Sequence, residues 1–251
     1  MTLYRFFIDQ SMIRDGLILL SGDPGKHARV VRLKPGEIFE AVTPGFLYSA
    51  TVESTSPQGV TGRVVSVVPV TPPNFEVHLF AGMIKASKMD LVVEKATELG
   101  VTSITPVICS RSVPNPDESG WERKVLRWRR IALSAAEQSK RTSLPEIRYP
   151  LCFEDLTSAE SAHVARGKLI LAWEGLSGTP SDLGRIVAGE RRVSVLVGPE
   201  GGFSDSEVEA ALSRGFIPVS LGPHLLPAET ACIMAVGLVV FVLHSLTPGS
   251  Q

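Results

Sequence analysis

Glycines of the kind that binding loops require follow an apolar run in the last quarter of the chain. Residues 195–197 are apolar, and Gly198, Gly201 and Gly202 come next, before a helix-start signal at Ser204. Glycine is needed where the backbone turns sharply or where a ligand approaches the main chain closely. Parallel sheets bind ligands beyond the carboxyl ends of their strands. The segment therefore predicts either a ligand-binding loop or a tight strand-to-helix turn without a ligand.

A second loop of this kind spans residues 220–227, where an apolar segment leads through Gly222 into a helix. Two such loops at one end of a sheet would form a slot with apolar walls and free backbone groups. The alternative is that Pro227 only begins the last helix, a position that proline tolerates. Neither loop has the glycine spacing of dinucleotide or P-loop sites. The chain also lacks the nucleophile-elbow and zinc-protease motifs.

Basic side chains are concentrated between residues 121 and 148, where eight Lys or Arg residues accompany three acids. Three of them share one face of a predicted helix: Arg123, Arg127 and Arg130. A shorter basic helix is predicted at residues 26–33, with Arg29 and Arg32. Such faces are either solvated or bind RNA phosphates, because Arg and Lys supply the sequence-independent part of RNA affinity. The residue pattern leaves both interpretations open.

The composition is that of a globular protein, with 251 residues, 44% hydrophobic and 20% charged, and a net charge of −1. Any RNA affinity must therefore come from local patches. The three cysteines and five histidines are scattered, which argues against disulfides and a metal site. No secretory signal is visible, and the apolar run at residues 231–243 is shorter than the ~20 residues of a membrane span. We expect a cytoplasmic protein without a membrane segment or a metal.

Two regions with different patterns must position these loops. Residues 1–70 contain short apolar runs separated by Gly/Pro turns, including residues 22–25, which predicts a small β-barrel. Prolines 69, 72 and 73 predict a linker, so we place the domains at residues 1–72 and 73–251. From residue 75 onward strands and helices alternate, which predicts an α/β domain with a mostly parallel sheet.

The elements predicted for the second domain follow from apolar periodicity and capping signals. Strands are predicted at residues 76–84, 101–109, 169–173, 193–197 and 216–221, and helices at 88–99, 118–140, 204–214 and about 228–246. Ser204 and Glu207 form a capping box, and Gly100 suits the end of the helix at 88–99.

Several segments, in this order along nearly the whole chain, resemble the ribosomal RNA small subunit methyltransferase E family of the SPOUT superfamily. The matching stretches are His27 with Arg29-Val30-Val31-Arg32 and Gly36; Lys88-Met89-Asp90 with residues 94–100; Thr105-Pro106-Val107 with Ser110-Arg111-Ser112; Ala136-Glu137-Gln138-Ser139 with Arg141 and Pro145-Glu146-Ile147; Leu196 to Gly202; Leu221-Gly222; and Leu226 with Glu229-Thr230-Ala231.

This resemblance implies a PUA-like barrel at the N-terminus, followed by a SPOUT α/β domain with a parallel sheet and a trefoil knot. It further implies a cytoplasmic homodimer that uses S-adenosyl-L-methionine to methylate N3 of a uridine in 16S rRNA of the small ribosomal subunit. The implied cofactor-binding residues are Leu171, Trp173, Gly198, Pro199, Glu200, Gly201, Gly202, Leu221, Gly222, Leu225 and Leu226. The RNA-binding candidates are Arg29, Arg32, Lys88, Arg123, Arg127 and Arg130.

The chemistry of this reaction points to basic catalytic residues. Uridine N3 carries a proton at neutral pH, and its removal leaves negative charge on the ring that a cation can stabilise. The candidates are Arg111 and Arg141, then Lys88, with Glu229 orienting a basic partner or accepting a proton. Alternatively, Arg111 is a structural ion-pair partner, and Glu229 is an ordinary acidic residue in the first turn of a helix.

The sequence departs from the family pattern at three positions. Pro227 stands where relatives usually have an arginine, two residues before the Glu-Thr pair, His224 stands where another basic residue is common, and Lys140 occupies a position that is commonly glycine. Two other functions therefore stay open. One is a SPOUT enzyme with a different RNA target, and the other is a non-catalytic RNA-binding factor in ribosome assembly.

Overall fold

The computed structural model describes residues 3–112, 118–158, 164–176 and 182–245. The chain forms two compact units. The first comprises Met1–Pro72 with Ala136–Ser143, and the second comprises Pro73–Ala135 with Leu144–Gln251. The short segment 136–143 therefore belongs to the first unit, although it lies far from residues 1–72 in the sequence.

A six-stranded sheet in the order β1-β4-β5-β6-β3-β2 forms the first unit. Its strands are β1 (Tyr4–Phe7), β2 (Ile13–Arg14), β3 (Leu17–Leu20), β4 (Ile38–Thr43), β5 (Phe46–Ser56) and β6 (Gly59–Pro69). Neighbouring strands are antiparallel except for the parallel pair β1–β4. Alternating apolar residues of these strands, including Phe6, Ile18 and Phe39, fill the core beneath the sheet.

The helix of the first unit, α1 (Gly22–Val30), begins earlier than the predicted helix at residues 26–33. The prediction of a turn at residues 22–25 was wrong, because these residues form the first helical turn. Proline fits there because it has no amide hydrogen to donate, and the first amides of a helix have no intrahelical acceptor. Asp23 also suits the positive end of the helix dipole.

Polar contacts hold the segment 136–143 within the first unit. The buried Arg5 guanidinium lies 2.8 Å from the Glu40 carboxylate and also donates to the main-chain carbonyls of Lys140 and Arg141. His27 Nδ1 lies 2.9 Å from Glu137 Oε2. Lys140 has a φ of +61°, in the left-handed region that favours glycine, and its ammonium group donates to the Leu3 carbonyl.

The second unit is built on a parallel sheet in the order β10-β8-β7-β12-β11-β13, with β9 beside β8. Its strands are β7 (Glu76–Gly82), β8 (Ser103–Ile108), β9 (Glu146–Ile147), β10 (Leu151–Cys152), β11 (Lys168–Ala172), β12 (Arg192–Val197) and β13 (Ile217–Val219). Every described pairing in this sheet is parallel. The predicted α/β class with a parallel sheet is confirmed.

Helices cover both faces of this sheet. They are α2 (Ala86–Leu99), α3 (Glu118–Gln138), α4 (Phe153–Thr157), α5 (Leu183–Val187), α6 (Asp205–Ser213) and α7 (Ala228–Ser245). Successive strand residues alternate between two cores, with Leu79 and Val195 in one and Phe80 and Leu196 in the other. Helix α7 is long and apolar enough to cross a membrane, but one of its faces packs in the first of these cores.

A polar network around the buried His78 lies on β7 and β8, at the end of the sheet opposite the glycine loops. His78 Nδ1 lies 2.8 Å from Ser103 Oγ, and His78 Nε2 lies 3.2 Å from Glu76 Oε2. Burial lowers the pKa of His78, although Glu76 acts in the opposite direction. The imidazole is therefore neutral in the folded chain at neutral pH.

This lowered pKa predicts a pH-dependent stability. The unfolded chain protonates His78 near its usual pKa of about 6.5, whereas the folded chain resists protonation. Stability is therefore highest above that pH and falls as the pH drops toward the folded pKa. We expect the Tm to decrease less between pH 7.5 and 5.5 in His78→Gln than in the parent, measured by circular dichroism. Equal decreases in the two proteins would contradict this role.

Candidate functional site

A cavity of about 670 Å³ opens at the carboxyl edge of the parallel sheet. Four chain segments that leave strands line it. Lys85 and Lys88 follow β7, Ala172 to Glu174 and Leu176 end and follow β11, Val197 to Glu200 and Gly202 end and follow β12, and residues 220–228 follow β13. The cavity lies at the topological switch point between β7 and β12. The chain continues from β7 to β8 on one side of this point and from β12 to β13 on the other, and open parallel sheets bind ligands at such a point.

The two glycine-bearing loops meet around this one cavity. Nine of the residues that the sequence assigned to a cofactor line it: Trp173, Gly198, Pro199, Glu200, Gly202, Leu221, Gly222, Leu225 and Leu226. Two others do not appear among the lining residues. Leu171 is fully buried in the core, and Gly201 packs against Arg111.

Backbone conformation explains the glycines at two of these positions. Gly202 has a φ of +68° and Gly222 a φ of +139°, values that residues with a Cβ adopt only under strain. Among the described residues other than its two chain neighbours, no atom lies within 4 Å of the place where a Cβ of Gly222 would stand, so this side of the main chain faces open space. Ser220 fixes this turn, because its hydroxyl donates to the Gly222 carbonyl at 3.1 Å and accepts from the Gly222 amide at 3.3 Å.

A cluster of three charged groups lies at the cavity. Lys88 Nζ is 2.8 Å from Glu200 Oε1 and 3.1 Å from Glu229 Oε2. Hydrogen bonds to Glu200 and then to Glu229 raise the pKa of Lys88. Burial opposes ionisation of Glu229, but its main-chain hydrogen bond and Lys88 lower the pKa of its carboxyl below the ordinary value. The structure thus brings Lys88, an RNA-binding candidate, together with the catalytic candidate Glu229.

The other two catalytic candidates lie elsewhere. Arg111 Nη1 donates to the carbonyls of Gly201 at 3.2 Å and Phe203 at 3.1 Å, so its guanidinium supports the glycine loop. Arg141 belongs to the first unit, where its Nε donates to the Ser143 carbonyl. Burial lowers the pKa of Arg141 to about 10, so it stays cationic at neutral pH.

The remaining RNA-binding candidates form two groups. Arg29 and Arg32 lie in the first unit, and Arg29 donates to the Pro57 carbonyl at 2.7 Å. Arg123, Arg127 and Arg130 are exposed on α3. Arg127 Nη2 lies 2.6 Å from Asp90 Oδ2, so Arg127 is partly neutralised.

Sequence reasoning missed two residues that support the site. A Cβ at Gly82, the last residue of β7, would lie 2.3 Å from the Pro199 amide nitrogen, so β7 and the glycine loop meet backbone to backbone. A glycine that ends a buried strand is a signal for this. Glu207 was recognised only as part of a capping box, yet it also accepts a hydrogen bond from the Ser110 amide at 2.7 Å. No local pattern reveals a partner so distant in sequence.

Comparison with known proteins gives the class of this α/β protein. The family model described as "RNA methyltransferase domain" matches residues 71–240. The chain is 30% identical over 228 residues to ribosomal RNA small subunit methyltransferase E of Aquifex aeolicus, covering 90% of this chain and 95% of the relative. It is 32% identical to the protein of the same name from Mycobacterium bovis, covering 93% and 90%. The chain belongs to the ribosomal RNA small subunit methyltransferase E family.

Solved structures show the same fold over nearly the whole chain. Ribosomal RNA small subunit methyltransferase E of Neisseria gonorrhoeae, crystallised bound to S-adenosyl methionine, has a TM-score of 0.79 and 25% identity, covering 94% of this chain and 96% of that one. The likeness therefore includes both units.

The contact between β7 and the glycine loop generates a prediction. Gly82→Ala must push the Pro199 backbone away, and overpacking of this kind costs about 1–3 kcal/mol of stability. We expect a lower midpoint in urea unfolding and weaker ligand binding at the cavity. Gly237→Ala is the matched control, because its Cβ would lie 3.6 Å from Leu99 in ordinary contact. Alanine there should be neutral or stabilising. If both variants have the parental midpoint, the contact does not constrain the loop.

Proposed function

We propose that this chain transfers a methyl group from S-adenosylmethionine to N3 of a uridine in 16S rRNA of the small ribosomal subunit. The observation that carries the proposal is the single cavity in which both glycine loops meet at the carboxyl edge of the sheet. Membership of the ribosomal RNA small subunit methyltransferase E family supports rRNA as the acceptor, and the Neisseria gonorrhoeae relative binds S-adenosyl methionine.

The residues around the cavity fit this cofactor. Its volume of about 670 Å³ lies within the range of small-molecule sites, which is about 300–1,000 Å³. Trp173 and the leucines of the loop after β13 offer apolar surface to a nucleoside. Glu174 and Glu200 add carboxylates to the lining, which suits a ligand that carries a sulfonium and an ammonium group.

The cofactor supplies a methyl group that its sulfonium charge has already activated. The protein must align the acceptor nitrogen with the bond that breaks and exclude water. Uridine N3 lies on the Watson–Crick edge, so the base must be unpaired or flipped out of its helix. A cation beside the base then stabilises the negative charge that deprotonation leaves on the ring.

Contacts of Glu229 and Arg111 support a different role for each of these candidates. Arg141 stays the proposed cation for the uracil ring. The 3.1 Å contact of Glu229 with Lys88 favours an orienting role for Glu229, since a carboxylate with a lowered pKa is a weak base. The two main-chain contacts of Arg111 favour support of the glycine loop over contact with the base.

The wider organisation follows the same proposal. Residues 1–72 would act as a PUA-like barrel that holds RNA through Arg29 and Arg32, and residues 73–251 as a knotted SPOUT domain with Arg123, Arg127 and Arg130 on its surface. A homodimer in the cytoplasm is the proposed assembly. It is supported by the apolar side chains that α7 exposes to solvent, above all Phe241, which is 70% exposed.

The central test uses small ribosomal subunits that lack the modification. After incubation with the chain and methyl-labelled S-adenosylmethionine, we expect label in 16S rRNA and 3-methyluridine as the labelled nucleoside after digestion. A different labelled nucleoside would identify an enzyme with another RNA target. Absence of label, together with absence of S-adenosylmethionine binding in calorimetry, would identify a non-catalytic factor and end the proposal.

The role of Arg141 has its own test. Removing one charge-stabilising group from a catalytic site slows turnover about 10²- to 10³-fold. We expect Arg141→Ala to lose methylation to that extent or more while its Kd for S-adenosylmethionine stays near the parental value, and Arg141→Lys to restore part of the rate. Arg148→Ala is the matched control, because Arg148 pairs with Glu146 away from the cavity lining. Methylation by Arg141→Ala at the parental rate would show that the role is wrong.

A further inference from the structure

Glu207 forms more hydrogen bonds than a helix cap requires. Its Oε2 accepts from the Ser204 amide at 2.8 Å, which completes the capping box of α6. The same oxygen accepts from the Ser110 hydroxyl at 3.0 Å, and Oε1 accepts from the Ser110 amide at 2.7 Å. A capping box requires only one hydrogen bond from the N-cap amide to the glutamate carboxylate. Here the second oxygen binds a loop that is 97 residues away in sequence.

The loop that Glu207 binds also holds the glycine loop from its outer side. Residues 109–112 follow β8 and form a closed turn, because the Ser112 hydroxyl accepts from the Cys109 amide at 2.9 Å. From this turn Arg111 donates to the carbonyls of Gly201 and Phe203. A Cβ at Gly201 would lie 3.1 Å from the Arg111 Cβ, so the two loops are in close contact.

Phe203, at the end of the glycine loop, packs against Gly198 at the beginning of the loop. Phe203 packs in the core with Cys109 and Val208. Its ring lies beneath Gly198, where a Cβ would be 3.1 Å from Phe203 Cε2. Gly198 lines the cavity. Any displacement of Phe203 therefore moves the cavity wall. Arg111 restrains Phe203 through the Phe203 carbonyl, and Glu207 restrains it through the amide of the next residue, Ser204.

We propose that Glu207, acting through Ser110, is a positioning residue that holds the glycine loop 198–203 in the shape that binds S-adenosylmethionine. This inference rests on the proposed function for its ligand and extends it to a residue outside the cavity lining. A ligand binds more tightly to a loop that is already ordered, because binding then costs no further conformational entropy of the loop. Glu207 does not line the cavity, so its effect on binding would act through the loop.

The test separates loop positioning from helix capping by comparing four variants. Glu207→Gln removes the charge and one of the two acceptor oxygens. Ser110→Ala leaves the capping box intact and removes the hydrogen bond from the Ser110 hydroxyl to Glu207. Ser204→Ala removes the cap hydroxyl and leaves both hydrogen bonds from Ser110 to Glu207. Glu209→Gln makes the same charge change at an exposed position of α6 and is the matched control.

Two measurements are made on each variant, namely the Kd for S-adenosylmethionine by calorimetry and the hydrogen exchange of residues 198–203 in the ligand-free chain. We expect Glu207→Gln to weaken binding about tenfold or more, which matches one lost hydrogen bond to a charged group, and to speed exchange to a similar extent. Ser110→Ala should weaken binding several-fold with a small change in Tm. Ser204→Ala should lower the Tm at least as much as Ser110→Ala does, with less effect on Kd, and Glu209→Gln should match the parent.

The outcomes distinguish this inference from the proposed function. If Glu207→Gln and Ser110→Ala keep the parental Kd and exchange rates, Glu207 is only a helix cap and the inference is overturned. If the parent binds no S-adenosylmethionine, the proposed function fails, and the exchange data from the ligand-free chain still decide whether Glu207 holds the loop. If Glu207→Gln does not fold, the comparison of Ser110→Ala with Ser204→Ala decides the matter.

Discussion

Parallel pairing of β7, β11, β12 and β13 is the constraint on which the rest of the structure depends. Because the strands run in one direction, their carboxyl ends meet at one edge, and the loops that follow them converge on one cavity. The convergence is close enough that β7 and the loop after β12 meet through their backbones, and Gly82 leaves the space for that contact. Residues more than a hundred positions apart in sequence thus form one wall.

Charged side chains and the backbone conformation at Gly222 then determine which groups the cavity offers to a ligand. Lys88 lies between the carboxylates of Glu200 and Glu229, which balance its positive charge. The cavity therefore has acidic groups and apolar leucines around backbone that faces open space at Gly222.

The departures from the family pattern have local explanations in this structure. Pro227 stands immediately before α7, and its carbonyl accepts from the Ala231 amide at 2.9 Å, so the proline begins the helix without disturbing the loop. Lys140 adopts a left-handed backbone conformation that glycine would adopt without strain, and its side chain binds the Leu3 carbonyl and lies near Glu40.

The sequence by itself determined the α/β class, most helices and strands, and the two glycine loops, because periodicity, capping signals and backbone freedom are local properties of a chain. It also indicated the family, since the motifs occur in a specific order. It misplaced the start of α1, where Pro24 was interpreted as a turn although a first helical turn accepts it. Only the tertiary structure decided that Lys88 meets Glu229, that Arg111 supports Gly201, and that Glu207 binds Ser110. These contacts join segments that are distant in the chain, and strand order, which no local pattern encodes, brings them together.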